Sequence, residues 1–392
     1  MGSNELKVYH RTQRKLNRYG LYVAASCIAI FGSAGIAHAG ETISSGDQSI
    51  TIGLGLRGSV TADNDGAPNG GSSTDFSLDS VRLYINGQIT KTIGGTFNTE
   101  RDSNGNILLL DGYARFEPTP EFNVWAGRLL PPSDRSNLDG PYYLSSYNFP
   151  GVVSQYPAKF AGRDDGITVW GKLFGKHLTY SVGAFNGHDR IIGAANQGDH
   201  PLFAARVVYN FLDVEDNPGY YESSTYYGSA NILTIGIAGQ TQKDGVGSVT
   251  QAGNYNAWNV DGLFEKKVLH GGAVTLEGAY YHYSTGGVTD VATNFAGASA
   301  TGNVGGLTQG TAYLVSGGFL FPDQIGIGKF QPVVRYQQGD ATLLHITTKQ
   351  TDVSLNYIIK GHNARLSIDY AHTTVTGSGD RNAVTGGIQL QF

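Results

Sequence analysis

The chain has 392 residues, 40% of them hydrophobic, yet its mean hydropathy is −0.20, and it holds 56 glycines and 23 tyrosines against one methionine. That usage fits neither an α/β enzyme nor a helical membrane protein, and past the N-terminal stretch no window approaches the roughly 20 consecutive apolar residues of a spanning helix. The formal charge of −5 argues against nucleic acid as a partner, and any membrane crossing has to be made by strands.

Residues 1–39 have the pattern of an export leader. Lys7, Arg11, Arg14, Lys15 and Arg18 precede an apolar run from Leu21 to Ile36, which ends in the small-residue cleavage pattern Ala37-His38-Ala39. A retained anchor is the alternative, but the run is short and rich in Ala, Gly and Ser. Cleavage after Ala39 would remove five of the 27 basic and one of the 32 acidic residues, leaving a formal charge of −9 on residues 40–392. It would also remove Cys27, the single cysteine, and with it any disulfide, thiol nucleophile or thiolate metal site. Ala24-Ala25-Ser26-Cys27 is a faint lipoprotein box whose preceding apolar run is too short.

From there on, alternation of period two bounded by turn residues predicts sixteen strands. They span 49–60, 77–90, 93–101, 106–116, 121–130, 163–173, 176–187, 201–211, 227–242, 254–266, 272–284, 310–321, 328–341, 348–360, 363–375 and 381–392. Their connections alternate between long (61–76, 131–162, 188–200, 285–309) and tight (91–92, 117–120, 174–175, 361–362), as the outer loops and periplasmic turns of an up-and-down barrel must. One connection breaks the rule: residues 212–226, rich in Asp, Glu, Pro and Tyr, stand where a short turn belongs. An ordered periplasmic excursion or a miscount would each account for it, so fourteen and eighteen strands stay open.

Strand parity assigns the two faces. Along residues 81–89, Val81, Leu83, Ile85 and Ile89 suit lipid, while Arg82, Tyr84, Asn86 and Gln88 suit water. The same arithmetic turns Arg57, Arg115, Arg206, Arg335 and Arg365 inward, beside Asp111, Asp261, Glu277, Asp352 and Asp369. So polar an interior implies a wet lumen. Six inward arginines could form a ladder for an anion, since guanidinium forks match carboxylate and phosphate oxygens. They could equally pair with the neighbouring carboxylates, and the near balance of charge favours pairing.

Residues 131–162 are the longest connection and the third outer loop. Arg135 and Lys159 lie there among Tyr142, Tyr143, Tyr147, Phe149, Tyr156 and Phe160, between Arg128 and Arg163, with Asp134, Asp139, Asp164 and Asp165 as counter-charges. So aromatic a loop is expected to be ordered and to fold inward, narrowing the pore, with a surface lid as the alternative. Trp125, Trp170 and Trp258 fit interfacial aromatic girdles, though any one of them could be an ordinary core residue. In the closing strand Val384, Gly386, Ile388, Leu390 and Phe392 alternate with Thr385, Gly387, Gln389 and Gln391, and the chain ends on an aromatic ring.

The stretches SVRLYINGQI (80–89), VWAGRLLPPSDR (124–135), RDDGITVWGKLFGKHLTYSVGAFNG (163–187) and PLFAARVVYNFLDVEDNPGYY (201–221) together resemble the phosphate-selective porin O/P family, from about residue 75 onward. The resemblance implies a homotrimer of sixteen-stranded barrels, each narrowed by its third loop and passing small anions such as phosphate. It also implies an acidic, tyrosine-rich insert at 212–226. Arg128, Arg135, Lys159 and Arg163 would then sit at or near the constriction. This chain departs from the phosphate-specific members in lacking a dense lysine cluster and in being acidic. Other members of the wider family are associated with different solutes, short amides among them.

Enzymatic signatures are weak. Gly53-Leu54-Gly55-Leu56-Arg57-Gly58 matches a dinucleotide-binding pattern but lies within a predicted strand with no helix after it. The ten histidines lack metal-ligand spacing, and Ser367 and His372 have opposite parity on one strand. An outer-membrane hydrolase is therefore the weaker alternative, and an adhesive or anchoring barrel would carry a separate domain that is not visible. The expectation is an all-β transmembrane antiparallel barrel in the outer membrane of a Gram-negative bacterium, conducting small solutes without cofactor, metal or chemical step. Anion preference is expected, with a general or small-amide porin as the alternative. The expected partners are two further copies, outer-membrane lipid and lipopolysaccharide, and the barrel-assembly machinery through Phe392.

Overall fold

The computed structural model describes residues 40–102, 104–153, 160–187, 195–288 and 309–392. The expected leader lies outside them. Seventeen strands follow in order: β1 Glu41–Ser45, β2 Gln48–Asp63, β3 Ser73–Gln88, β4 Ile93–Arg101, β5 Ile107–Thr119, β6 Phe122–Leu129, β7 Asp164–Leu173, β8 Leu178–Phe185 and β9 Leu202–Asn210. After them come β10 Ile232–Gly247, β11 Ala252–Lys267, β12 Ala273–Ser284, β13 Gly310–Leu320, β14 Lys329–Ala341, β15 Ile346–Lys360, β16 Ala364–Val375 and β17 Arg381–Gln391. A short helix, α1 (Arg135–Asp139), lies between β6 and β7, and a 3₁₀ turn, Leu269–Gly271, between β11 and β12.

Strands β2 to β17 pair antiparallel, each with its neighbour in sequence, and β17 returns to β2 with Gln389 opposite Arg57 and Leu390 opposite Leu56. The result is a closed sixteen-stranded barrel. Closure abolishes the sheet edge that would otherwise leave backbone groups unpaired. The seam is locked at its end by reciprocal bonds between Leu54 and Phe392, at 2.5 and 3.0 Å. All sixteen predicted strands are present. The short hairpin strand β1 was not foreseen; it pairs with the start of β2 on the edge that β17 uses further along.

Burial alternates strictly along strands such as β9. The outward set includes Ile237 at 57%, Val334 at 52% and Ile368 at 60% exposure, far more apolar surface than a water-soluble fold presents, and a band suited to hydrocarbon. The inward set is polar and buried: Asp352, Asn356, Gln331, Gln337 and Gln389 are all at 0%. A freely wet lumen does not account for that. Two segments of chain are packed inside the barrel against these residues, and they determine the site.

Candidate functional site

The first inserted segment is the long connection after β6. Asp134 caps α1 by accepting a hydrogen bond from the Asn137 amide at 3.1 Å, and Gly140, at φ 58, ends the turn in a conformation suited to glycine. All five residues of α1 are buried. Residues 142–152 then cross to the opposite wall, where inward side chains grip the backbone. Arg57 donates to the Tyr147 carbonyl at 2.5 Å, Arg335 to Asn148 at 2.9 Å, Arg365 to Leu144 at 2.5 Å and Asn356 to Ser145 at 2.7 Å. Gln389 donates to the Tyr142 carbonyl at 2.8 Å, and Tyr283 to Val152 at 2.8 Å. The loop is thus held within the barrel from β2 round to β12.

Tyrosines seat it. The Arg57 guanidinium lies 4.1 Å from the centre of the Tyr147 ring, and that of Arg82 lies 5.0 Å from Tyr142, both within cation–π range. Gly387 and Gly55 leave the room: a β-carbon on Gly387 would meet the Tyr147 ring, and one on Gly55 the Tyr142 hydroxyl.

The second inserted segment is the anomalous connection, which runs from 211 to 231 between β9 and β10. It is neither a short turn nor a miscount. Tyr220 packs on Trp125 at 5.2 Å between ring centres and donates to the Leu130 carbonyl at 2.6 Å. Glu265 on β11 accepts from Thr225 Oγ1 at 2.8 Å and from the amides of Tyr226 and Gly228. His362, in the turn before β16, sits between Tyr143 and Tyr227, each ring centre 4.8 Å away and tilted by 52°, and its Nε2 lies 3.0 Å from the Thr225 carbonyl. Burial, aided by Arg365, lowers its pKa to about 4, so the ring is neutral at pH 7.

The two segments meet at Arg135. Its guanidinium forks onto Glu215 at 2.7 and 2.9 Å and also donates to the Ser223 carbonyl and to Thr234 Oγ1. Glu222 lies 3.5 Å from its Nε and is held in turn by Arg206, which also binds Asp261 at 2.6 and 2.7 Å. Carboxylates outnumber cations here, and burial raises the carboxyl pKa values of Asp134, Asp139 and Glu222. Asp134 is pushed up to about 7 by burial and then by Asp261, and Asp139 well above the ordinary carboxylate range by burial and then by Glu277.

The sequence-derived arginines therefore divide. Arg57, Arg82, Arg206, Arg335 and Arg365 face inward and are buried, as parity required, and Arg163 is buried on Asp111 at 3.1 Å. Arg82 pairs with Glu100 at 2.6 Å and Arg335 with Asp352 at 2.9 Å. Arg115 is half-buried beside Glu117, and Arg135 is central. Arg128 is a correction: it shares the outward parity of Ala126 and pairs with Asp165 at 2.7 Å on the outer face, away from the inserted loop. Lys159 lies outside the described residues. Trp125 and Trp170 are a second correction: they point inward, at 2% and 7% exposure, into the aromatic cluster under Tyr220, and only Trp258 faces outward. Parity alone would have found both. Ser367 is buried inward and bonded to Asn356, on the face opposite His372.

Several buried polar atoms on the β14 to β2 side have no protein partner: Arg57 Nε, Arg365 Nε, Arg335 Nη2, Gln331 Nε2 and Gln389 Oε1. Arg57, Gln389 and Arg365 stand side by side in register. Such atoms also occur elsewhere in the interior, at Asn98 Oδ1, Arg115 Nε, Asp139 and Asn210 Oδ1, and buried polar groups left over by the protein are commonly satisfied by water.

No protein-family profile matches the chain, and no curated relative does. The resemblance to the phosphate-selective family thus gains no support there. Solved structures do match in fold. An anion-selective porin from Comamonas acidovorans superposes with a TM-score of 0.58 at 13% identity, over 88% of this chain and 100% of its own. The outer-membrane channel DcaP of Acinetobacter baumannii gives 0.54 at 14%, over 91% and 100%. OmpT of Vibrio cholerae, described as a trimer form, gives 0.54 at 11%, over 88% and 99%.

Proposed function

We propose that this chain is a porin of the Gram-negative outer membrane, a closed barrel through which small solutes diffuse past an inserted loop with no chemical step. The observation that carries the reading is the loop itself. A barrel built only as an anchor has no use for an outer loop seated in its interior by Arg57, Arg335, Arg365, Asn356 and Gln389 on one wall and by Arg135 on the other. Polar atoms of Arg57, Gln389 and Arg365 that no protein group satisfies suit a hydrated route along that wall. On this reading residues 131–153 form the constriction, and Arg57, Arg82, Arg335 and Arg365 border it. Purified protein should conduct in planar bilayers; correctly folded protein that never conducts would end the proposal.

Anion preference, with phosphate as one candidate, is a second reading with its own support. Arg57 and Arg365 form no ion pair with a carboxylate among the described residues, and one structural neighbour is described as anion-selective. The many carboxylates around Arg135 and Arg206 oppose it. A reversal potential under a salt gradient decides between anion preference and a general or small-amide porin. A homotrimer completes the proposal, supported by the neighbour described as a trimer form. Outer-membrane lipid and lipopolysaccharide outside, and assembly machinery recognising Phe392, follow from the same reading.

A further inference from the structure

The two inserted segments enter from opposite ends of the barrel and are bonded to each other at three places. The outer loop leaves β6 after Leu129, and the 211–231 segment leaves β9 after Asn210, at the other end. Near the root of the loop the Tyr220 hydroxyl donates to the Leu130 carbonyl at 2.6 Å. At α1 the Arg135 guanidinium takes Glu215 and the Ser223 carbonyl at 2.7 to 2.9 Å. Beyond α1 the Ser224 amide donates to the Tyr143 carbonyl at 3.1 Å, and Ser224 Oγ accepts from the Ser145 amide at 2.9 Å. The barrel wall grips the root of the loop and α1 less closely. Asp261 accepts from the Arg135 amide at 3.2 Å, Glu277 accepts from the Ser136 hydroxyl at 3.3 Å, and Gln240 donates to the Pro132 carbonyl at 3.2 Å.

The 211–231 segment has its own footing. Glu265 on β11 is fully buried and accepts from four groups: the Thr225 and Thr275 hydroxyls, each at 2.8 Å, and the amides of Tyr226 and Gly228. So many donors converging on one side chain suit a carboxylate, which only accepts. Gly219, at φ 61, passes so near the Trp125 ring that a β-carbon there would collide with it. Lys172 donates to the Asn217 carbonyl at 2.9 Å, and Arg206 forks onto Glu222. The wall holds the segment, and the segment holds the loop.

We propose that residues 211–231 are a platform that positions the constriction, so that pore width is set by residues that meet no solute, Glu265, Gly219 and Ser224 foremost. The inference rests on the porin reading above and deepens it: what the platform governs is the size limit for solutes. The charges that tie it to the loop are buried beside counter-charges, Arg135 with Glu215 and Arg206 with Glu222 and Asp261. Unseating it therefore moves the loop backbone much more than any charge that faces water. Residues 142–152 keep their bonds to the far wall, so a loop deprived of the platform retains one support of two and fills less of the cross-section.

Neutral polyethylene glycols of graded size, added on both sides of a planar bilayer, measure the width of the pore in the full-length protein. Glu265→Gln sets an N–H group among donors, and Gly219→Val drives a side chain into the Trp125 ring, so each unseats the platform. Both variants should admit larger polymers and conduct more, with the reversal potential in a salt gradient unchanged. The parent's size limit in both variants overturns the platform, and a shifted reversal potential overturns its restriction to size. Should neither variant fold, Ser145→Cys with Ser224→Cys decides, on a Cys27→Ser background that leaves no other thiol. A disulfide tying loop to platform should lower the open-channel current noise, reversibly with reductant. No disulfide, or noise indifferent to it, overturns the proposal. A parent protein that never conducts ends the porin reading alone, and protease then judges the platform: faster cleavage of residues 131–153 in Glu265→Gln supports it, and the parent's rate overturns it.

Discussion

Arg135 is the residue on which both inserted segments depend. Removing its side chain strands Glu215 and Glu222 in a buried setting, and loss of one partner from such a pair costs about 3–5 kcal/mol. Arg135→Ala should therefore lower the urea midpoint of the folded barrel or release the 131–153 loop to protease, whereas Arg128→Ala, on the outer face, should do neither. Asp134 supplies the pH dependence. Its carboxyl is raised from 3.8 to about 7, so the stabilisation it gives is full below pH 3.8 and is lost as pH climbs through 7. Asp134→Asn keeps an acceptor for the α1 cap and should flatten the stability profile across that window. The inward arginines could be read from alternation alone. Their partners could not: Arg135 meets Glu215 from 80 positions away and Arg365 meets Leu144 from 221, distances over which no periodicity in the sequence carries information.

At the level of elements, the loop after β6 depends on the smallness of the wall it touches. Gly387 is the socket for Tyr147, and Gly387→Val should expel that ring while leaving the outward parity of β17 intact. The expected result is a larger single-channel conductance and faster cleavage of residues 131–153, with an unchanged barrel circular dichroism spectrum. The inward fold of this loop was legible in its aromatic content. The 211–231 segment stood out only as a break in loop-length alternation, because nothing local distinguishes a polar segment that projects from one that turns inside. Trp125 and Trp170 misled for a related reason: a strand-borne indole suits both a lipid girdle and an inner cluster, and parity separates the two.

For the whole molecule, the selectivity question reduces to which wall borders the hydrated route. If it runs beside Arg57 and Arg365, Arg57→Glu should shift the reversal potential toward cations, while Glu215→Gln, buried against Arg135, should leave it nearly unchanged. No shift with Arg57→Glu would place the route elsewhere. The sixteen barrel strands were legible, with β1 missed and β10 (Ile232–Gly247) placed about five residues early at 227–242, since period-two alternation is a local property of each strand and antiparallel neighbours need no long-range decision beyond closure.

That closure has a consequence in time. Thr61 and Thr385, bonded across the seam, are 324 positions apart, and Leu54 pairs with Phe392 from the far end of the barrel strands. Until β17 arrives, the edge of β2 that it will occupy stays open and adhesive. Folding dominated by such remote pairings is slow, and without Leu390 and Phe392 the edge of β2 at Leu54 and Leu56 would lose the pairing that ends its exposure.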